Sequence, residues 1–347
     1  MFTLTRQDTL VMKGIAICAM LCHHLYGFPP DGVEPYSGVL AWLGVLGKVC
    51  VAMFLFCSGY GLSVHYKPLS IVDDIKFVVK RLIKFYLNYW VIFLIFVPIT
   101  VFVSHRLLAD AYGADSNIYW CLFKDILGLQ GFDSYNITWW FNLLIIMLYL
   151  IFPLLYRTTQ SAPWMVLLIG LGVMRMAYHI SHNPIDFFTW QFSFVVGIVW
   201  QLYENKFTKI TMRLMKQKYT LAIISILLTI LFVILRMYPF IPSWSGVRMD
   251  AFLTVAIALM VISIGRYMTR ASCVFAFLGQ HSMNIYLMHT FFNAFYCRGW
   301  LHSSEWLRGG GNFVLLAIIC LLISIGIEFL KEKIRFYEFV NYITKRI

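Results

Sequence analysis

The sequence predicts an all-α integral membrane protein, a bundle of about ten transmembrane helices. Apolar residues make up 61% of the 347 residues and charged residues only 13%, whereas soluble domains carry about 25% charged residues. The apolar residues also gather in stretches of about 20, which is the length that a helix needs to cross a bilayer. The remaining segments are too small for a soluble domain, so we predict a single membrane domain over residues 1–347.

Ten predicted spans follow one another along the chain. They cover residues 9–28, 39–64, 85–104, 138–156, 163–180, 186–203, 219–238, 248–267, 273–297 and 312–331. The longest polar gap, 105–137, has few apolar residues from which to build a core of its own. The first span lacks a small-residue cleavage site and further spans follow it, so we expect it to stay in the mature protein.

The net charge of +12 is distributed in a way that predicts membrane topology. With an even number of spans both termini face the same side, and that side carries 20 of the 28 Lys and Arg residues, against 7 on the other side. The positive-inside rule therefore places both termini in the cytoplasm. We attribute the basic excess to topology and expect the lipid bilayer, and no nucleic acid, as a partner.

The eight cysteines give no metal or redox signature. Five of them lie within predicted spans, and no C-x-x-C pair occurs among those five: Cys18, Cys22, Cys50, Cys57 and Cys320. Their simplest role is that of small packing residues. We expect no metal and no bound cofactor.

Two ionisable residues, Lys13 and His24, lie in the otherwise almost wholly apolar first span. Ionisable side chains are unfavourable in hydrocarbon and mark a functional site by default. Eleven residues at about 100° each bring His24 back to within about 20° of Lys13, roughly 16 Å further along an α-helix. His23 points about 80° away from that face. We therefore predict a cation near one membrane surface and an imidazole near the midplane, on one stripe of the helix.

Small residues stand near the end of the second span, in the segment FLFCSGYGLS at 54–63. Ser58 and Gly59 allow helices to approach closely, and the Ser58 hydroxyl can also donate a hydrogen bond across an interface. Packing and a direct role in a site are both open for this pair.

A basic stretch precedes the third span. Lys80, Arg81 and Lys84 lie within about one turn, so their charges gather on one helix face among apolar residues. One interpretation is an amphipathic helix at the inner headgroups. The other is a cytoplasmic clamp for a polyanion, since Arg and Lys suit phosphate groups.

The ninth span carries Ser282, Tyr286 and His289 at spacings of four and three, which place them on one face of a helix. Polar side chains in a hydrophobic span need partners inside the protein. This stripe either holds helices together or forms the wall of a substrate channel. Elsewhere, Asp250 at the outer end of the eighth span is the carboxylate best placed to orient an outer-facing site.

These residue types suit acyl transfer. A buried neutral imidazole is the natural general base near neutral pH, and Lys13 offers a positive charge to an anionic donor. The sequence shows no phosphate-binding loop, dinucleotide turn, zinc motif or haem motif. Coenzyme A thioesters are polyanionic and cytoplasmic while many acceptor sugars lie outside, so transfer of an activated acyl group fits the arrangement.

The chain resembles the membrane acyltransferase family often called acyltransferase-3. Five segments match in family order over roughly residues 5–335: Lys13-x10-His24 for the family's Arg/Lys-x10-His, FLFCSGYGLS at 54–63, Arg81-Leu-Ile-Lys84 for its Arg-x-x-Arg, WWFNLLIIMLYLIFPLL at 139–155, and FLGQHSMNIYLMH at 277–289. Each match alone is weak, whereas five in order are specific.

The resemblance implies a ten-helix, multi-pass enzyme of the bacterial inner membrane. Such enzymes move an acyl group, usually acetyl from acetyl-CoA, onto a hydroxyl of a surface or secreted glycan. By the resemblance, His24 is the essential histidine, Lys13 is its basic partner, and Arg81 and Lys84 lie on the cytoplasmic donor side. Lys84 departs from the family pattern, because a lysine cannot bind phosphate in the bidentate way of an arginine.

A second departure lies in the fourth span, where many relatives carry a Glu. This chain has only apolar residues and Asn142 there, which suggests the branch of the family that lacks the carboxylate.

The working hypothesis is an O-acetyltransferase with acyl-CoA as donor and a glycan as acceptor. The CoA phosphates bind near Arg81, Lys84 and the adjacent Lys80, and His24 with Lys13 carries the catalysis. His24 either deprotonates the acceptor hydroxyl or carries the acyl group transiently.

The residues predicted to line the site are Ser58, Ser282, Tyr286 and His289. A transporter or flippase for a glycan or lipid-linked intermediate is the alternative, since it too uses intramembrane His and Lys residues.

Overall fold

The computed structural model describes residues 3–113, 115–180, 189–214, 219–238, 246–265 and 267–347. Within these ranges every regular element is a helix and no strand occurs. The predicted all-α class is confirmed.

The helices follow one another along the chain, with short π-helical turns between some of them. The first eight are α1 (Arg6–Cys22), α2 (Gly38–Gly47), α3 (Cys50–His65), α4 (Ile71–Val103), α5 (Leu108–Tyr112), α6 (Ile118–Ile126), α7 (Trp140–Ser161) and α8 (Pro163–Ile180). The other eight are α9 (Gln191–Leu214), α10 (Thr220–Met237), α11 (Asp250–Ile264), α12 (Thr269–Gln280), α13 (Ser282–Thr290), α14 (Arg298–Leu301), α15 (Asn312–Lys333) and α16 (Phe336–Arg346). The π-helical turns lie at His23–Gly27, Phe291–Tyr296 and Leu307–Gly311.

Seven helical segments of the described chain are long and apolar enough to cross a membrane. They are Arg6–Gly27, Gly38–His65, Ile71–Val103, Ile137–Ser161, Thr220–Met237, Val247–Ile264 and Leu307–Lys333. Each overlaps one of the predicted spans, and the protein is a multi-pass membrane protein. The full count of ten and the cytoplasmic location of the termini stay predictions.

The three remaining predicted spans are less regular. The fifth corresponds to α8, of which Pro163–Met174 is a shorter apolar helix. The sixth starts at residues 186–188, which lie outside the described residues, and continues into α9. The ninth was predicted as one span, but the structure divides it: α12 ends at Gln280, α13 begins at Ser282, and a π-helical turn follows α13.

Helix α4 begins well before the predicted third span. The Ser70 hydroxyl caps it by accepting a hydrogen bond from the Asp73 backbone N–H at 3.1 Å. The helix then runs for 33 residues, about 50 Å at 1.5 Å per residue, which exceeds the roughly 30 Å of hydrocarbon. The basic stretch is therefore the first part of a spanning helix and is not a separate amphipathic helix.

The described chain divides into two compact units. Unit 1 comprises Met1–His23, Trp42–Lys67 and Pro153–Ser282, and unit 2 comprises His24–Ala41, Pro68–Phe152 and Met283–Ile347.

Unit 1 contains two close helix crossings, each made by glycine on both sides. In the first, a Cβ at Gly14 of α1 would overlap the Phe275 carbonyl, and a Cβ at Gly279 of α12 would overlap the Leu10 carbonyl. Close backbone approach through small residues is how helices associate in lipid, where no hydrophobic effect drives them together.

The second crossing joins α3 and α9 in the same way. A Cβ at Gly59 would overlap the Phe194 carbonyl, and a Cβ at Gly197 would overlap the Phe56 carbonyl. The sequence left packing and a direct role in a site open for Ser58 and Gly59. The structure shows that Gly59 serves helix packing.

A buried ion pair holds α10 to α11 in unit 1. Asp250 accepts a hydrogen bond from Arg236 Nε at 2.7 Å and one from the Trp190 indole N–H at 3.3 Å. Arg236 Nη2 also donates to the Val45 carbonyl at 3.2 Å. Both charged side chains are almost wholly buried, so the contacts of Asp250 are those of a structural ion pair, in which each charge compensates the other.

The long segment 105–137 of unit 2 is organised around a buried carboxylate. Asp125 accepts hydrogen bonds from the Tyr112 hydroxyl at 2.8 Å and from the Tyr135 backbone N–H at 2.7 Å, while Tyr89 donates to its backbone carbonyl at 2.7 Å. Burial raises the pKa of Asp125 to about 6. A polar centre thus orders a segment that has too few apolar residues for a core.

Candidate active site

His24 lies on a π-helical turn of unit 2 and is half-buried. Its backbone carbonyl accepts a hydrogen bond from the side-chain amide of Asn293 at 3.0 Å, and Asn293 lies on the π-helical turn Phe291–Tyr296. Single π-helical turns are frequent at functional sites. Because α1 ends at Cys22, the α-helical phase used to align His24 with Lys13 does not extend to His24.

The His24 ring lies against the ring of His289. The ring centroids are 4.8 Å apart with planes tilted by 50°, and His289 is fully buried. Two imidazolium cations at this separation would repel each other strongly in a medium of low dielectric constant. This repulsion disfavours a pair in which both rings carry a positive charge.

The tautomer of His289 follows from its hydrogen bonds. Nδ1 lies 2.9 Å from the Tyr286 carbonyl and 3.2 Å from the Ile285 carbonyl. A carbonyl oxygen can only accept, so Nδ1 carries a hydrogen. Nε2, which lies 3.3 Å from the Thr290 hydroxyl, is then the nitrogen that can gain or lose a proton.

The hydroxyl of Thr290 serves both protonation states of His289. It donates to Nε2 of the neutral ring, and it accepts from Nε2 of the cationic ring while turning its own hydrogen toward Thr138 Oγ1 at 3.3 Å. Thr138 in turn donates to Asn136 Oδ1 at 2.8 Å. A change in the charge of His289 thus leaves this part of the network hydrogen-bonded.

Helix α13 is fixed just before His289. The indole N–H of the buried Trp139 donates to the Leu287 carbonyl at 2.9 Å. The Trp139 ring in turn packs edge-on against Tyr89 and Phe291, at centroid distances of 5.1 and 5.8 Å. Aromatic contact and hydrogen bond together set the position of the helix turn that carries His289.

Tyr286 and Asn142 form a second polar contact beside this helix. The Tyr286 hydroxyl lies 3.0 Å from the Thr138 carbonyl and 3.1 Å from Asn142 Oδ1. Asn142 is fully buried, and its Nδ2 has no hydrogen-bond partner in the described part of the chain. Exchanging the amide O and N would only leave the oxygen without a partner instead, so in either orientation one polar atom of Asn142 has no hydrogen-bond partner among the described residues.

Asn293 also connects His24 to a loop histidine. Its Nδ2 donates to the His24 carbonyl, so its Oδ1 must be the atom 3.3 Å from His302 Nε2. His302 Nε2 then donates, and Nδ1 accepts from the Tyr36 hydroxyl at 2.8 Å. Burial and the neighbouring Arg308 and Arg298 lower the pKa of His302, in agreement with this neutral tautomer.

The same network continues to a second residue of the His24 turn. The Tyr36 oxygen accepts from Asn312 Nδ2 at 2.9 Å, and Asn312 Oδ1 accepts from the Tyr26 hydroxyl at 2.9 Å. Every donor along this path has an acceptor, so the π-helical turn of His24 is held both at its start and near its end.

The predicted donor residues lie on the first half of α4. The Arg81 guanidinium is half-buried and lies 5.2 Å from the Phe77 ring, which stacks on Phe152 at 5.7 Å. Lys80 is half-buried and Lys84 is exposed. The packing of Arg81 on an aromatic ring holds its planar group in one orientation.

The other predicted site residues belong to unit 1. Lys13 is half-buried on α1 and lies within electrostatic range of Cys57 on α3. Ser58 is half-buried and Ser282 is buried. The structure thus brings together His24, Tyr286 and His289 within unit 2, and the participation of the unit 1 residues stays a prediction.

Sequence reasoning missed Asn293, Thr290 and His302. One signal was available, because Asn293 follows His289 by four residues and extends the stripe of Ser282, Tyr286 and His289. His302 lies in a loop without periodicity, and only the fold brings it to Asn293.

The fold and the site together define the class of this chain: it is a helical, multi-pass membrane protein with two histidine rings in contact. The sequence model of the acyltransferase-3 family, described as an acyltransferase domain, matches residues 11–331, nearly the whole chain. The chain belongs to this family and is a membrane acyltransferase. No curated protein and no solved structure matches it.

Proposed function

We propose that the protein transfers an acetyl or other short acyl group from cytoplasmic acetyl-CoA to a hydroxyl of a cell-surface or secreted glycan, at the bacterial inner membrane. The observation that carries this proposal is the contact between His24 and His289 at 4.8 Å. One neutral ring of such a pair can act as the base for acyl transfer to a hydroxyl, while the other neutral ring helps to stabilise the positive charge that forms.

In the proposed reaction His24 takes the proton from the acceptor hydroxyl as its oxygen bonds to the thioester carbon. The C–S bond then breaks, and the thiolate of coenzyme A takes the proton from His24. In the second route the acyl group passes first to His24 and then to the acceptor. His289 stabilises the positive charge that forms on the pair through its Nε2 and the Thr290 hydroxyl.

The developing oxyanion needs hydrogen-bond donors at fixed positions. Asn142 Nδ2 is the donor we assign to it, because this atom has no hydrogen-bond partner within the described residues. The Tyr286 hydroxyl donates to Asn142 Oδ1 at 3.1 Å and so holds the amide in the orientation that presents Nδ2. An amide at position 142 suits this role, since it can donate a hydrogen bond to the oxyanion.

For the donor, Arg81 together with Lys80 and Lys84 binds the phosphates of acetyl-CoA. Their place on the first part of a helix about 50 Å long supports this assignment, because that part extends beyond the length needed to cross the hydrocarbon. Lys13 is the basic partner that we propose for His24 in catalysis.

The test is transfer of labelled acetyl from acetyl-CoA to a crude surface-glycan fraction, with membranes that contain equal amounts of each variant. We expect His24→Asn to abolish transfer. The matched control is His23→Asn, because His23 Nδ1 lies 2.7 Å from the Gly44 carbonyl and an asparagine amide can still donate there.

Retained activity in His24→Asn, or equal losses in both variants, would contradict the proposed base. If the wild type transfers acetyl to no glycan and does not hydrolyse acetyl-CoA, the flippase alternative becomes the better explanation, and translocation of a lipid-linked glycan is then the assay.

A further inference from the structure

Unit 2 contains a cavity of about 350 Å³ between the loop that follows the first span and the segment that precedes the last span. Its wall includes Arg298, His302 and Arg308 on one side and Gly32 and Glu34 on the other. The proposed mechanism does not use any of these residues.

Both arginines of the cavity are anchored to backbone carbonyls. Arg298 Nη2 donates to the Asp31 carbonyl, and Arg308 Nη2 donates to the Glu34 carbonyl at 3.1 Å. Neither arginine belongs to an ion pair among the described residues. A carbonyl fixes a guanidinium without neutralising it, so both positive charges stay available to a ligand.

One aromatic ring and one glycine help to set the positions of these guanidinium groups. The Arg308 guanidinium lies 4.8 Å over the Tyr36 ring, a cation–π contact. Gly32 has φ +75°, and a Cβ there would come within 2.9 Å of Arg298 Nη2. A side chain at position 32 would thus displace Arg298, whereas glycine adopts this backbone conformation without strain and leaves room for it.

The charge of the cavity is positive. Arg298 and Arg308 face one exposed carboxylate, Glu34, and the pKa of His302 is lowered by burial and by both arginines. Guanidinium groups bind carboxylate and phosphate in a bidentate way. The ligand chemistry that fits this wall is an acidic group on a polar molecule.

Hydrogen bonds also connect the cavity to the π-helical turn that carries His24. His302 forms part of its wall and donates to Asn293 Oδ1 at 3.3 Å, and Asn293 donates to the His24 carbonyl at 3.0 Å. Only two hydrogen bonds therefore separate the cavity from the residue that carries the base.

We propose that this cavity binds the acidic group of the acceptor, a carbohydrate that carries a carboxylate or a phosphate. This inference rests on the proposed function and names the substrate class of the same site. The acidic group lies between Arg298 and Arg308, and a hydroxyl of the same molecule reaches His24.

The first experiment measures binding alone, by calorimetry on the full chain in nanodiscs. The probes are methyl glucuronide, glucose 1-phosphate and, as the neutral control, methyl glucoside. We expect at least one acidic sugar to bind at least tenfold more tightly than the neutral one, and the stronger of the two identifies carboxylate or phosphate.

Variants Arg298→Gln and Arg308→Gln should each lose that preference. Arg335→Gln is the charge-matched control, because Arg335 is exposed and lies near Glu338 on the surface. Equal binding of acidic and neutral sugars, no binding of either acid, or no effect of the two cavity variants would overturn the proposal.

The second experiment measures acetyl transfer to the same sugars. For Arg308→Gln we expect KM for the acidic acceptor to rise at least tenfold while kcat changes less than twofold. Efficient transfer to the neutral sugar with the same KM would overturn the cavity proposal and leave the enzyme assignment intact. Arginine-dependent binding without any transfer would contradict the proposed function and still support the acidic-group site.

Discussion

The side-chain amide of Asn293 donates to the backbone carbonyl of His24 at 3.0 Å, so a residue of one π-helical turn fixes another such turn. Asn293 itself has no acid–base chemistry. Its role in the proposed reaction is to position the peptide unit that carries the imidazole.

We expect Asn293→Leu to lower kcat about tenfold with little change in KM for acetyl-CoA, because a lost hydrogen bond of roughly 1–1.5 kcal/mol corresponds to about that factor. The measurement is steady-state acetyl transfer at equal protein level. Asn293→Asp tests the mechanism, since a carboxylate of the same shape cannot donate to the carbonyl. If this isosteric variant kept the wild-type kcat, the hydrogen bond would not position His24.

The role of His289 can be separated from its place in the helix. In His289→Asn the amide can still donate to the carbonyls of Ile285 and Tyr286, but nothing replaces Nε2. We expect kcat to fall by about 10²-fold or more, in the range that a proton-transfer group contributes.

The hydroxyl of Thr290 supplies the matched pair for this prediction. Thr290→Val should lower kcat because Nε2 loses its partner, and Thr290→Ser should keep most of it. A His289→Asn variant with wild-type kcat across the pH range would leave this histidine a purely structural role.

Donor binding should depend on the planar group of Arg81. Arg81→Lys should raise KM for acetyl-CoA about tenfold, because a lysine loses both the bidentate contact and the stacking on Phe77. Lys84→Arg should lower KM or leave it unchanged. The control is Lys76→Gln, an exposed charge on the same helix; an equal effect there would mean that only net charge matters.

Asp125 should make the stability of its segment depend on pH. Its pKa is raised from 3.8 to about 6 by burial, so the folded state favours the protonated form. This contribution to the free energy of unfolding is complete below pH 3.8 and is lost as pH rises through about 6. One unit of pKa shift corresponds to about 1.4 kcal/mol, so the whole contribution is about 3 kcal/mol.

The measurement for this prediction is the thermal unfolding midpoint between about pH 4 and 7, the window that contains both pKa values. The midpoint should fall as pH rises, and Asp125→Asn should remove that part of the slope. Asp133→Asn, an exposed change in the same segment, serves as the control. A wild-type midpoint that rises over this interval would contradict the assignment.

The glycine crossing of α1 and α12 gives a stability prediction. Gly279→Ala should destabilise the protein by about 1–3 kcal/mol, the usual result of overpacking, because the added Cβ would overlap the Leu10 carbonyl. Gly326→Ala is the matched control, since α15 leaves open space there and alanine favours a helix. Equal unfolding midpoints for the two variants would show that the helices can separate without loss.

Composition and hydropathy alone predict much of this protein. Long apolar stretches must be helices in lipid, because the helix is the one structure in which a single segment satisfies all its own backbone hydrogen bonds. Ionisable residues in those stretches, His24 and His289 among them, could be predicted as site residues because such side chains are unfavourable in hydrocarbon. The boundaries were less predictable at α4, where a basic amphipathic stretch and an apolar span form one continuous helix.

What the sequence by itself determined is the fold class, the family, and the polar residues that lie inside apolar helices. These are local properties, read from residue type and spacing. The tertiary structure alone decided that His24 meets His289, that Asn142 keeps a polar atom without a partner among the described residues, and that Asn293 joins His24 to His302. Such pairings depend on how helices distant in the chain pack side by side, and neither periodicity nor hydropathy contains that information.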